Sequence, residues 1–221
     1  MSNSPLVSIT NLSPNRNAPR NHVIDTITIH CVAAQASAQR IGEIFKPTSK
    51  KASCNYGIGY DGKIVLVVDE ANRSWCSSNR DNDHRAITIE VASDNYAPYA
   101  VKDAAYNSLI NLCVDICKRN GIPELRWKAD KKLIGQTDKQ NMTVHRWFAN
   151  KACPGDWLYS RMDEIADTVN ARLKAKDEPK KLYRVQIGAY EKKTNAEKCL
   201  QKAKDAGFKD AYIIEVEEVT S

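Results

Sequence analysis

A chain of 221 residues, 42% apolar and 27% charged, holds enough hydrophobic material for one good core and a small second unit. No run approaches the about 18 apolar residues of a membrane span, and Met1-Ser-Asn-Ser-Pro-Leu-Val-Ser8 has neither the basic nor the apolar region of a signal peptide. The expectation is synthesis in a cytoplasm, with action elsewhere only after release. A net charge of +6 suits a polyanionic partner, whether cell-wall polymer or nucleic acid, and seven cysteines in an unsecreted chain favour free thiols or metal ligation.

Residues 1–22, rich in Asn, Ser, Pro and Arg, read as an extended lead-in. Val23–Cys31 then alternates as a strand, with Thr26, Thr28 and His30 on one face and Ile27, Ile29 and Cys31 on the other. Ala36–Phe45 is a helix stopped by Pro47, and Tyr56–Tyr60 and Ile64–Val68 flank the hairpin signal Asp61-Gly62. Ala86–Val91 repeats the first alternation, placing Thr88 and Glu90 on one face. Apolar residues at helical spacing, among them Cys113, mark Asp103–Asn120, which Gly121 closes, and Trp157–Leu173 is a further helix.

Residues 174–181 form a charged linker. Beyond it a βαβ pattern runs through Tyr183–Tyr190, Thr194–Ala206 and Ala211–Val216. The expected organisation is one domain over 1–173 and a module over 182–221 that is too short to bury a stable core alone.

His145, Lys151 and Cys153 share one loop. If the two alternating strands lie in one sheet, His30 and Glu90 can share a face, and that loop can close His30, His145 and Cys153 around a metal. A His₂Cys shell favours zinc and leaves a fourth position open, as catalytic sites do. Glu90 is then placed for proton transfer and Lys151 for stabilising an oxyanion, which together predict hydrolysis of an amide or ester. Several other polar residues read as structural. Cys113 and Cys117 fit core packing, as do Trp127, Trp147 and Trp157, and a Cys54–Cys76 pairing is not required. His22 and His84 sit in polar stretches and read as surface residues.

In this order, Ile27-Thr-Ile-His30, Ala86-Ile-Thr-Ile-Glu90 and His145 with Lys151-Ala-Cys-Pro-Gly155 resemble the zinc-dependent N-acetylmuramoyl-L-alanine amidases. That family shares its fold with peptidoglycan-recognition proteins and phage lysozymes. The resemblance covers roughly residues 20–172. It implies an α/β fold in which a mixed central sheet is flanked by helices and carries zinc in an open groove. It also implies cleavage of the amide between N-acetylmuramic acid and L-alanine. By position, His30, His145 and Cys153 match the ligands, Glu90 the acidic residue, Lys151 the lysine, and Trp75 a groove tryptophan. The chain departs from the pattern at Cys54, where many relatives carry a catalytic tyrosine. Either Glu90 transfers protons alone or Tyr56 approaches the substrate from a shifted position.

The segment Leu182–Tyr190, followed by Asn195-Ala-Glu and Ala206-Gly-Phe208, resembles half of a peptidoglycan-binding SPOR domain. That implies pairing with a second copy, hence a homodimer, if the module folds. The combined expectation is a phage or prophage endolysin acting on peptidoglycan. A cytosolic muropeptide-recycling amidase has no need of a wall anchor, and a non-catalytic recognition protein typically lacks the thiol ligand. A nucleic-acid binder leaves the metal constellation unexplained.

Overall fold

The main sheet of the first 176 residues owes its layout to two six-residue strands, β3 (Thr26–Cys31) and β7 (Ala86–Val91), paired in parallel. In this computed structural model residues 2–175 and 185–215 are described. The chain divides into two units, Met1–Lys176 and Asp177–Ser221.

Around the central pair lie β1 (Ile9–Thr10), β4 (Tyr56–Ile58), β5 (Ile64–Leu66) and β8 (Met142–Val144). The six-stranded order is β1-β5-β4-β7-β3-β8, with β4 and β5 antiparallel across the Asp61-Gly62 turn and every other pair parallel. Gly62 takes φ +81, a backbone region that glycine enters without a side-chain clash. A short ribbon, β2 (Arg16–Asn17) with β6 (Arg73–Ser74), stands apart from this sheet.

Alternation gives the sheet two unlike faces. Ile27, Ile29, Ile87, Ile89 and Val91 enter the main core with α3 (Asp103–Asn120) and α5 (Met162–Lys174). Burial of this face is the main source of stability, at about 25 cal/mol per Å² of apolar surface. Leu109, Leu112, Cys113, Ile116 and Cys117 form the buried stripe of α3, so the two cysteines are packing residues. Gly121 closes this helix in the left-handed region.

The opposite face is polar at its centre. Thr28 shares a 2.7 Å hydroxyl contact with Thr143, and Thr88 shares another with Ser74. Asn82, on the short helix α2 (Arg80–Arg85), donates to Thr28 and accepts from Thr143. Each of these buried polar groups therefore has a partner, which burial demands. Beside them α1 (Ala38–Phe45), capped by Ser37, packs Ile41 against β4 and β5. A side chain at Gly57 would lie 2.4 Å from Ile41, so only glycine permits this approach.

The extended lead-in takes part in the fold: β1 extends the sheet edge, and the backbone N–H of Ser4 donates to the Tyr56 hydroxyl. Other expectations need correcting. Trp157–Leu173 is two helices, α4 (Gly155–Tyr159) and α5, separated at Ser160 and Arg161. His84 is 5% exposed, not a surface residue, because its Nδ1 accepts the Asn21 N–H while its carbonyl accepts from Arg20.

In the second unit α6 (Lys193–Asp205) forms where a helix was expected. Residues 185–190 and 211–215 carry no strand. The remainder of both expected strands, and linker residues 176–181, lie outside the described residues. Val185, Ile187, Phe208 and Tyr212 stay exposed, so their β-favouring side chains have no sheet partner among the described residues. No described helix is long and apolar enough to cross a membrane.

One buried charge anchors the first unit. Glu70 is fully buried and accepts from Arg119, Tyr56 and Asn120. Removing the guanidinium with Arg119→Ala leaves this carboxylate without its hydrogen-bonded ion-pair partner. Urea unfolding should then show a loss of about 3–5 kcal/mol, most of it recovered in an Arg119→Met/Glu70→Gln double variant.

Candidate metal centre and groove

The parallel register sets His30 of β3 directly beside Glu90 of β7. Both point to the polar face near the carboxyl ends of their strands, where open α/β sheets place their ligands. On the other side of β3, β8 pairs up to Val144, so the next residue, His145, begins a single helical turn beside His30. The chain then returns through Cys153, whose carbonyl accepts the Arg146 N–H and ties the loop into a compact unit. Trp147 stacks on Trp127, with centroids 4.9 Å apart and planes 3° from parallel, and this holds the loop from behind.

His30, His145 and Cys153 each offer one ligand atom, all within 4.8 Å of one another. Cys153 Sγ lies 3.3 Å from His30 Nδ1, and the two imidazoles meet edge to face at 5.1 Å. Ser78 Oγ holds His145 Nε2 at 3.0 Å, the outer contact typical of ligating histidines, and so leaves Nδ1 as the nitrogen free to ligate. Burial, reinforced by each other's proximity, lowers the His30 pKa well below its ordinary value. Burial and then the Lys151 ammonium lower that of His145. Both rings are therefore neutral near pH 7, the form that ligates metal. The hydrogen bond that the Cys153 thiol donates to Cys31, followed by burial, holds the thiol's pKa well above its ordinary value. Two neutral imidazoles and a thiol at this spacing fit zinc and leave a fourth direction open to the groove.

Glu90 lines the same groove, and burial followed by the nearby Cys31 pushes its carboxyl up to about 8. The groove, about 660 Å³, also exposes Trp75 and Lys151 and carries Lys50, Lys51, Arg73 and Arg80. Trp75 is fixed by its indole N–H, which donates to Asn17 at 2.7 Å. The structure thus brings together His30, His145, Cys153, Glu90, Lys151 and Trp75.

Tyr56 does not join them. It pairs with Ile89, faces the core with 0% exposure, and gives its hydroxyl proton to Glu70 at 2.6 Å. The reading of Tyr56 as a substrate-binding residue is corrected on that ground: a strand neighbour of Gly57, which pairs with Glu90, must point the other way. All seven cysteines are free, Cys54 and Cys76 included. Ser78 and Cys76 carry no spacing signal in the sequence. They reach the site because the 74–79 segment crosses the polar face before α2.

A mixed sheet with a His₂Cys cluster, a protonatable carboxylate and a lysine in one open groove presents the donor and acid–base groups of a hydrolytic site. The N-acetylmuramoyl-L-alanine amidase profile matches residues 20–156, and the chain belongs to that family. Its reaction is hydrolysis of the amide between N-acetylmuramic acid and L-alanine. The SPOR domain profile matches residues 164–220, beginning inside α5.

Similar solved structures include a mutant endolysin from Bacillus subtilis, 16% identical at a TM-score of 0.52, covering 73% of this chain and 97% of that one. The endolysin amidase LysCS from Clostridium intestinale is 17% identical at 0.52, covering 74% and 97%. The Staphylococcus aureus hydrolase AmiA, solved with its ligand, is 18% identical at 0.55, covering 77% and 84%. At such identities these structures establish a common fold. No curated protein matches the chain in sequence.

The raised Glu90 pKa has a measurable consequence in metal-free protein. A carboxyl whose folded pKa is about 8, against 4.5 ordinarily, contributes stability that is complete below about 4.5 and lost as pH rises through 8. Between about pH 5 and pH 8 the chelated wild type should therefore lose a few kcal/mol more than Glu90→Gln, as read by urea unfolding at each pH.

Proposed function

We propose that the chain is a zinc-dependent amidase of endolysin type, which cuts the stem peptide from the glycan of bacterial peptidoglycan. The observation that carries this reading is the convergence of His30, His145 and Cys153 within 4.8 Å, in a groove that Glu90 and Lys151 also line. When bound, zinc supplies a Lewis acid that polarises water and the scissile carbonyl.

The chain's own residues do the rest. Glu90, whose burial gives it high proton affinity, takes the proton of the attacking water and hands it to the departing L-alanine amine. The Lys151 ammonium, on the same loop as two ligands, stabilises the oxyanion that develops on the carbonyl. Ser78 and the Trp127–Trp147 stack keep the His145 ring in position. Trp75 offers a flat wall for sugar or peptide, and the basic side chains of Lys50, Lys51, Arg73 and Arg80 suit the carboxylates of a stem peptide.

The SPOR-like region supports attachment to the wall, which favours the endolysin reading over a recycling enzyme. Its exposed Val185, Ile187, Phe208 and Tyr212 support completion of the half-module by a second copy.

The test is release of new N-terminal alanine from purified peptidoglycan. Wild type should produce it, while Cys153→Ser and chelator-treated protein should not. Lys151→Ala should lower kcat by about 10²-fold with little change in KM. Suspended walls should clear in a turbidity assay. Wall binding without new amino groups would identify a passive recognition protein instead.

A further inference from the structure

His30 takes part in two donor clusters, of which the proposed reaction uses one. The second consists of His30, Cys76 and Glu90, whose ligand atoms also lie within 4.8 Å of one another. Cys76 comes from the segment that crosses the polar face ahead of α2, and its thiol lies 3.8 Å from Glu90 Oε1. Glu90 Oε2 and His30 Nε2 are both buried, and neither has a hydrogen-bond partner among the described residues. His30 Nδ1, by contrast, faces Cys153. An imidazole presents its two nitrogens on different edges of the ring, so with Nδ1 serving Cys153 the buried, unpartnered Nε2 is the nitrogen left to serve Cys76 and Glu90. Both of these side chains line the groove, which gives a cation a path in.

We propose that this groove has a second seat for a thiophilic divalent cation, formed by the far nitrogen of His30, the Cys76 thiolate and the Glu90 carboxylate. The donor set of nitrogen, sulfur and oxygen suits zinc, with its fourth position turned to the groove. The proposal rests on the reading of His30, His145 and Cys153 as the first seat.

Filling the second seat displaces three protons, from the Cys76 thiol, the Glu90 carboxyl and the His30 ring. It is therefore the weaker of the two. It also has a functional consequence. A cation held by Glu90 occupies the carboxylate that moves the proton, so zinc in excess of the first equivalent inhibits the enzyme.

Equilibrium dialysis of the full chain against zinc, with bound metal counted by elemental analysis, reads the two seats directly. Wild type should hold two equivalents, the second more weakly. Cys76→Ser and Glu90→Gln should each hold one. Cadmium as a second probe should add a further thiolate-to-metal absorption step in wild type that Cys76→Ser lacks. In the amino-group assay excess zinc should remove most of the wild-type rate, while the rate of Cys76→Ser, relative to its own value at one equivalent, should hold.

A single equivalent in wild type, or a second equivalent that survives in both variants, overturns the proposal. Failure of the first seat reads differently: tight binding would then be unaffected by Cys153→Ser. Unfolding curves of the metal-free variants establish that each retains the wild-type fold.

Discussion

Everything about this site depends on the parallel register of β3 and β7. Because Thr26 pairs with Ala86, the strands run level to their ends and set His30 beside Glu90. A slip of one residue in either strand would turn that strand's His30 or Glu90 into the hydrophobic core and bring Ile29 or Ile89 to the groove in its place. The same register aligns Thr28 with Thr88 and Thr143, so the ligand and the carboxylate stand on a floor of paired hydroxyls. The hydrogen bonds that Asn82 and Ser74 add to that floor explain how a half-buried polar surface is tolerated at the middle of the sheet.

Stability and chemistry are thus divided between the two faces. The isoleucine face, closed by α3 and α5, supplies the hydrophobic burial. The polar face is closed only at its flanks, by α1 on one side and α2 on the other, and stays open between them. Catalytic groups can be held at unusual protonation there because the core beneath does not have to adjust to them. Desolvation from that core raises the proton affinity of Glu90 and lowers that of His30, so one physical cause prepares both the acid–base group and the ligand.

How much of this was legible in the sequence depended on the range of the forces involved. Period-two alternation in Val23–Cys31 and Ala86–Val91 is local, and it placed His30 and Glu90 on the same side of their strands. The spacing of α3 and its glycine cap are local as well. Tyr56 was misplaced because counting from the hairpin does not reveal which face a three-residue strand shows, and its pairing with Ile89 decides that. His84 was misplaced because Arg20 and Asn21, distant in sequence, bury it. A two-residue strand such as β1 has no periodicity to detect; it exists through its contacts with Ile64 and Leu66. The strand propensity of Val185 and Ile187 is real, but propensity needs a neighbouring strand before it becomes structure.

The parallel stack of Trp127 and Trp147 has an optical consequence. Two indoles 4.9 Å apart couple their electronic transitions, and one of them stands two residues from His145. The loop that brings two donors to the groove therefore carries one half of a chromophore pair, whose near-ultraviolet circular dichroism depends on the angle between the rings. Loop order can be followed by that signal without any label, separately from Trp75, whose indole reports on the groove wall itself.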